Sequence, residues 1–127
     1  IAMATMFLSE HIGVRAIVAM TESGGTARFL SRFRSNAPIY AFSRHDGARR
    51  KMAMIRDVFP IAFDSRGLAP REAARDAMRM LRDRDLLTTG DRVVFTSGDH
   101  MEQHGATNTL RLLQIGADGK AEGLGEL

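Results

Sequence analysis

Short continuous runs of hydrophobic residues recur along this chain, and segments of mixed polarity separate them. Apolar runs of about four to eight residues bounded by turn residues are typical of buried strands. The pattern predicts five strands, at residues 15–20, 38–42, 58–63, 91–96 and 109–115. The intervening segments predict four helices, at residues 1–12, from 25 or 26 to about 33, at 47–57, and from 70 to just before 90. Strands that alternate with helices indicate an α/β domain with a largely parallel sheet.

The first and last of these helices carry further signals. The first has apolar residues that we expect on one side, Met3, Met6, Phe7 and Ile12. Gly13 follows it, and glycine commonly ends helices. The last helix begins at Pro70, because proline fits the first helical position. Its apolar residues share one face, Ala74, Ala77, Met78 and Leu81.

The carboxyl ends of parallel strands meet at one edge of a sheet, and ligands bind there in open α/β folds. The loops 21–26, 43–47 and 97–106 each follow a predicted strand. We therefore expect these three loops to crowd the same edge.

The turn after the first strand has the composition of an anion site and consists of Thr21, Glu22, Ser23, Gly24, Gly25 and Thr26. Free backbone N–H groups at the start of the following helix and three hydroxyl groups would donate to a phosphate there. The alternative is an ordinary connection in which serine and threonine only cap the helix. The turn is not a P-loop, because the G-x-x-x-x-G-K-[ST] spacing and the lysine are missing.

The loop between the last two strands is the second candidate, because long loops often carry binding functions. Its candidate residues are Gly98, Asp99, His100, His104, Gly105 and Ala106. A metal is not expected, since the two histidines lie in a loop and no third ligand is evident. A surface loop with two solvated histidines is the alternative.

Composition excludes several classes of protein. The chain has 127 residues, a net charge of +3 and no cysteine, which fits one domain without disulfides or thiolate metal sites. No apolar run approaches the roughly 20 residues of a membrane span, so we expect a cytoplasmic protein without a membrane partner. The apolar periodic run begins at Ile1 itself, so we expect the chain to be part of a longer protein.

Arginines gather in the first half of the chain, at Arg28, Arg32, Arg34, Arg44, Arg49, Arg50 and Arg56. They form either a salt-bridged surface or a face for nucleotides. A nucleic-acid partner is not expected, since one tyrosine and no tryptophan leave few stacking platforms. No catalytic group is evident, because Ser23 lies outside a G-x-S-x-G elbow and no His–Asp pair stands out.

Several motifs together closely resemble the C-terminal domain of pyruvate kinase: AIVAMTESGGTAR at 16–28, SRFR at 31–34, API at 37–39, GDRVV at 90–94 and GATNTLR at 105–111. The motif FSRH at 42–45 is most similar to the bacterial type that sugar phosphates or AMP activate. The resemblance implies a three-layer sandwich, with helices on both faces of a five-stranded, mostly parallel sheet whose last strand is antiparallel. It further implies a domain at 1–116 and a flexible tail at 117–127.

By this resemblance the domain is an effector-binding and oligomerisation module. The 21–26 turn would hold a phosphate, the 98–106 loop would close over the rest of the effector, and the parent enzyme would be a homotetramer. The catalytic barrel, with its Mg²⁺ and K⁺, would belong to the same parent chain, so residues 1–127 alone should not catalyse phosphoryl transfer and need no cofactor. The alternative is a scaffold that has lost effector binding.

Three residues depart from the pattern of the family. Gly25 stands where many relatives have arginine or lysine, Asp57 replaces a common glycine, and Glu22 places a carboxylate beside the phosphate. A carboxylate within about 4–6 Å disfavours an anion. We therefore expect a sugar phosphate or nucleoside monophosphate to bind, and fructose 1,6-bisphosphate to bind weakly or not at all.

Overall fold

The computed structural model describes residues 2–32, 37–98, 107–116 and 121–122. Within these residues the chain forms four helices and six strands. In chain order they are α1 (Ala2–Ile12), β1 (Ala16–Met20), α2 (Gly25–Ser31), β2 (Ile39–Ser43), α3 (Asp46–Met52), β3 (Val58–Ala62), α4 (Pro70–Asp83), β4 (Arg92–Gly98), β5 (Thr107–Ile115) and β6 (Ala121–Glu122).

One sheet contains every described strand, in the order β3-β2-β1-β4-β5-β6. Strands β1 to β4 are parallel, and β5 runs antiparallel to β4. The predicted five-stranded mixed sheet with its last strand antiparallel is therefore confirmed. One short strand is added to it, since Ala121 and Glu122 pair with Ile115 and Gln114 at the edge of β5. These two residues lie in the segment that was expected to be a loose tail, and they use the unpaired backbone groups that an edge strand offers.

Helices cover both faces of the sheet, as the family resemblance implied. On one face α4 buries five apolar residues against the strands: Ala73, Ala74, Ala77, Met78 and Leu81. On the other face α1, α2 and α3 contribute a second buried group: Met6, Ala27, Leu30, Ala48 and Met52. All five residues of β1 are buried, because β1 lies between two strands and between two helical layers.

Two details of the sequence-based prediction are wrong. The helix predicted at 47–57 ends at Met52, because the chain must turn back to enter β3. Asp57 completes that turn in the left-handed region, with φ 63°, which explains a preference for glycine at this position. Phe7 is 64% exposed although Met6 is buried, since neighbouring helical residues point about 100° apart.

Replacing Asp85 by glycine is expected to stabilise the protein by roughly 0.5–1 kcal/mol. Asp85 follows α4 with φ 60°, and Leu86 N–H donates to Leu81 O while Asp85 N–H donates to Arg82 O. This is the Schellman arrangement, in which glycine avoids the strain of a side chain. Urea unfolding measures the gain. In the same experiment, Asp83→Gly at the last residue of α4 should give no gain, because Asp83 is not in the left-handed region, and a loss for Asp85→Gly would contradict the prediction.

Candidate anion site at the carboxyl edge of the sheet

The loops that follow β1 and β2 lie against each other at one edge of the sheet. Thr21 N–H donates to Phe42 O at 3.0 Å, and the Ser43 hydroxyl donates to Glu22 O at 3.3 Å. Strand β4 ends at the same edge, since it runs parallel to β1 with Thr96 beside Ala19. The predicted convergence is therefore confirmed for the first two loops and for the end of β4.

The second candidate loop lies largely outside the described residues. Gly98 is the last residue of β4 and pairs with Thr107 of β5. The other candidates in this loop, Asp99, His100, His104, Gly105 and Ala106, are among the residues that the structure does not describe. Their role in closing over a ligand stays a prediction.

Hydroxyl groups of the 21–26 turn hold its backbone in shape. Gly24 N–H donates to Thr21 Oγ1 at 2.9 Å, and Gly25 N–H donates to Ser23 Oγ at 3.3 Å. These bonds match the capping alternative, because they use N–H groups that could otherwise donate to a phosphate. Each hydroxyl keeps a hydrogen to donate. Ser23 and Gly25 are exposed, so they are accessible to a ligand.

A cavity of about 450 Å³ opens beside this turn, between the start of α2 and the end of α3. Its lining combines turn residues, two cations and apolar side chains: Ser23, Gly24, Gly25, Arg28, Lys51, Met52, Met54 and Ile55. Volumes of about 300–1,000 Å³ are usual for small-molecule sites. The cavity is therefore large enough for a small phosphorylated metabolite.

Arg28 and Lys51 were not among the candidate site residues. Arg28 is on α2, one helical turn after Gly25, and that spacing was a usable signal in the sequence. Lys51 lies on α3 and joins the cavity only because α3 packs beside the turn, so the sequence offered no signal for it. Both side chains are exposed and cationic, which suits a phosphate.

Glu22 does not present its carboxylate to this cavity. Its side chain is 5% exposed and points to the loop after β2, where Oε2 accepts a hydrogen bond from His45 Nε2. Arg44 Nε forms an ion pair with the same oxygen at 3.5 Å. The backbone of Glu22 thus belongs to the predicted turn, whereas its charge is neutralised on the other side of that turn.

Further ion pairs surround Arg44 and His45. On α3, Arg49 donates to Ser43 O at 2.8 Å and pairs with Asp46. Beyond β3, Asp64 accepts from Arg66, and these hydrogen bonds lower the pKa of the Asp64 carboxyl to about 2. The positive charge of Arg44 also lowers this pKa.

Among the described residues, no group of three or more histidine, aspartate and glutamate side chains could hold a metal ion. Within the same ranges, no helix is long and apolar enough to cross a membrane.

The fold and the turn define an α/β domain with a candidate anion site at the carboxyl edge of its sheet. A family model described as "Pyruvate kinase, alpha/beta domain" matches residues 1–113. The chain therefore belongs to the pyruvate kinase family, as its alpha/beta domain.

Relatives and a solved structure agree with this assignment. The chain is 45% identical to "Pyruvate kinase II" of Salmonella typhimurium over 118 residues, which are 91% of this chain and 24% of that protein. It is 32% identical to "Pyruvate kinase" of Bacillus licheniformis, covering 91% of this chain and 20% of that protein. The crystal structure of a pyruvate kinase from Cryptosporidium parvum superposes with a TM-score of 0.77 at 19% identity, over 90% of this chain and 22% of that one. The chain thus spans about a quarter or less of the length of these relatives.

Proposed function

We propose that this chain is the effector-binding domain of a pyruvate kinase and that it binds a monophosphorylated sugar or nucleoside beside the 21–26 turn. The observation that carries the proposal is the cavity at this turn, which two cationic side chains and the exposed Ser23 line. The parent enzyme would transfer a phosphoryl group from phosphoenolpyruvate to ADP in a catalytic barrel of the same chain, where Mg²⁺ and K⁺ would bind. Residues 1–127 alone would be inactive.

The chemistry of the cavity supports such a ligand. The Arg28 guanidinium can bind two phosphate oxygens at once, and Lys51 adds a second positive charge. Met54 and Ile55 supply apolar surface for a sugar or a base. Because the Glu22 carboxylate is held by Arg44 and His45, the repulsion expected from the sequence is reduced.

Binding at this site would regulate the parent enzyme by linkage. An effector shifts the equilibrium between two states of an oligomer only by the difference in its affinity for them. A ligand held between the turn and the 98–106 loop would favour the state in which that loop is closed.

Removal of the two cations is expected to weaken binding of the effector at least tenfold. The double substitution Arg28→Gln with Lys51→Gln removes both charges from the cavity, and hydrogen bonds to charged groups contribute about 1.5–3 kcal/mol each. The measurement is a thermal-shift titration of the chain with glucose 6-phosphate, ribose 5-phosphate, AMP and fructose 1,6-bisphosphate. Sulfate serves as the control for simple anion binding.

A matched variant separates local from general electrostatics. Arg79→Gln with Arg84→Gln removes the same charge at α4, on the opposite face of the sheet, and both arginines are exposed. This variant should bind within about threefold of the unmodified chain, because exposed charges beyond a Debye length are screened. Equal losses in the two variants, or tighter binding of fructose 1,6-bisphosphate than of every monophosphate, would contradict the proposal.

A scaffold without effector binding is the second candidate function. Helices α1 and α2 pack against each other, and each exposes a large aromatic side chain. Phe7 on α1 is 64% exposed, and Phe29 on α2 is 56% exposed. Exposed apolar surface of this kind favours a contact with another subunit. A domain can have both functions. If no phosphorylated metabolite binds, the scaffold is the function that remains.

A further inference from the structure

The buried carboxylate of Glu22 has no part in the cavity, yet it joins the two loops that shape the site. Carboxylates are seldom buried unless they are paired. Glu22 is paired twice, with His45 Nε2 through a hydrogen bond and with Arg44 Nε at 3.5 Å. Both partners lie after β2, more than 20 residues further along the chain, so the three side chains fasten the loop after β1 to the loop after β2.

The hydroxyl group of Ser43 adds two hydrogen bonds to this connection. The Ser43 hydroxyl donates to Glu22 O at 3.3 Å and accepts from His45 N–H at 3.2 Å. Ser43 therefore connects the backbone of Glu22 to the backbone of His45, whose side chains are also paired. A change in the charge of His45 therefore acts on Glu22, which directly precedes Ser23 in the turn.

Two other carboxylates on neighbouring segments of the chain are paired with arginines. Asp46 pairs with Arg49 on α3, and Asp64 pairs with Arg66 after β3. Histidine is the side chain whose charge ordinarily changes between about pH 5 and pH 8. The charge of the group Glu22, Arg44 and His45 is thus +1 when His45 is protonated and 0 when it is neutral.

We infer that Glu22, Arg44 and His45 set the charge that the 21–26 turn presents to an anion, so that the bound effector and the proton on His45 favour each other. Glu22 is a positioning residue in this arrangement, because it acts by holding His45 beside the turn. The inference rests on the proposed function, since it assigns a regulation by pH to the same site.

The expected effect is an affinity that rises as the pH falls. One added positive charge within about one Debye length of a divalent anion changes its affinity about three- to tenfold at the screening typical of a protein surface. Sulfate is the suitable probe, because its own charge is constant across this range, whereas phosphate esters titrate near neutral pH. Calorimetric titration of the chain with sulfate at pH 6 and pH 8, at constant ionic strength, should give a dissociation constant about three- to tenfold lower at pH 6.

Substitutions identify the group responsible. His45→Gln keeps an N–H donor for Glu22 but carries no proton that titrates, so the affinities at pH 6 and pH 8 should become equal. His11→Gln, on α1, should retain the pH dependence. Glu22→Gln should bind sulfate more tightly than the unmodified chain at pH 8, because one negative charge is removed.

A second measurement follows the protons themselves. By reciprocity, binding of sulfate near neutral pH must be accompanied by uptake of protons, which calorimetry in buffers of different ionisation enthalpy measures, and this uptake must be lost in His45→Gln. Sulfate binding that is equal at the two pH values, or a pH dependence that persists in His45→Gln, would overturn this inference and leave the proposed function intact. Absence of binding by sulfate and by every phosphorylated metabolite would overturn both.

Discussion

Replacing Gly24 by alanine is expected to lower the free energy of unfolding by about 2–5 kcal/mol. Gly24 precedes α2 with φ 89°, a region that costs a residue with a side chain about 1–2 kcal/mol. An added Cβ would also lie 2.8 Å from Met52 Cγ, and Met52 is only 1% exposed. The cost therefore combines backbone strain with overpacking of a buried side chain, which adds about 1–3 kcal/mol.

Gly25 is the matched control for this substitution. It is the first residue of α2, its φ is not in the left-handed region, and an added Cβ meets only Ser23 Oγ at 3.4 Å. Gly25→Ala should therefore be neutral or should stabilise the chain by up to about 1 kcal/mol, since alanine is the better helix former. Urea unfolding of the two neighbouring variants gives a contrast that composition alone does not predict.

A double-mutant cycle isolates the role of Met52. Met52→Ala alone should cost about 2–5 kcal/mol, because it leaves a cavity under the turn. With Gly24→Ala present as well, the total loss should fall short of the sum by about 1 kcal/mol or more, since the added methyl group then has space. Strict additivity would show that the close approach of Gly24 to Met52 contributes nothing. A stability of Gly24→Ala equal to that of Gly25→Ala would contradict the whole prediction.

The sequence predicted those parts of the fold that depend on a local pattern of residues. The runs around β1 and β2 are apolar without interruption because both strands are buried on two faces, and all five residues of each are buried. Gly13, Pro70 and Gly90 marked ends of elements through their backbone preferences, and Gly13 and Gly90 do adopt positive φ. The short strand β6 had no such pattern, since it depends only on pairing with the edge of β5.

The candidate site was predictable in part for the same reason. Hydroxyls and glycines directly after an apolar strand marked the 21–26 turn, and Arg28 lies within one helical turn of it. The contribution of Lys51 depends on how α3 packs, and the pairing of Glu22 with His45 joins residues 23 positions apart. Sequence therefore indicated a carboxylate that repels phosphate, and only the tertiary structure shows that this charge is compensated.

Replacing Phe95 by alanine is expected to lower the free energy of unfolding by about 3–5 kcal/mol. Phe95 is fully buried at the centre of the sheet, where it pairs with Val18 of β1 and Arg111 of β5 and packs in the cluster beneath α4. Because domains have only about 5–15 kcal/mol of stability, this loss can prevent folding. Phe95→Leu keeps more of the side-chain volume, so this variant should lose less stability and still fold.

Phe59 provides the control at the edge of the same sheet. Its ring lies 5.8 Å from the ring of Tyr40, but the side chain is 52% exposed on β3. Phe59→Ala removes the same atoms and should lose no more than about 1.5 kcal/mol, since much of the ring is already in water and aromatic pairs contribute about 0.5–1.5 kcal/mol. Urea unfolding ranks the variants. A smaller loss for Phe95→Leu than for Phe59→Ala would show that the centre of this sheet tolerates truncation by repacking, and the loss for Phe95→Ala would then be reduced as well.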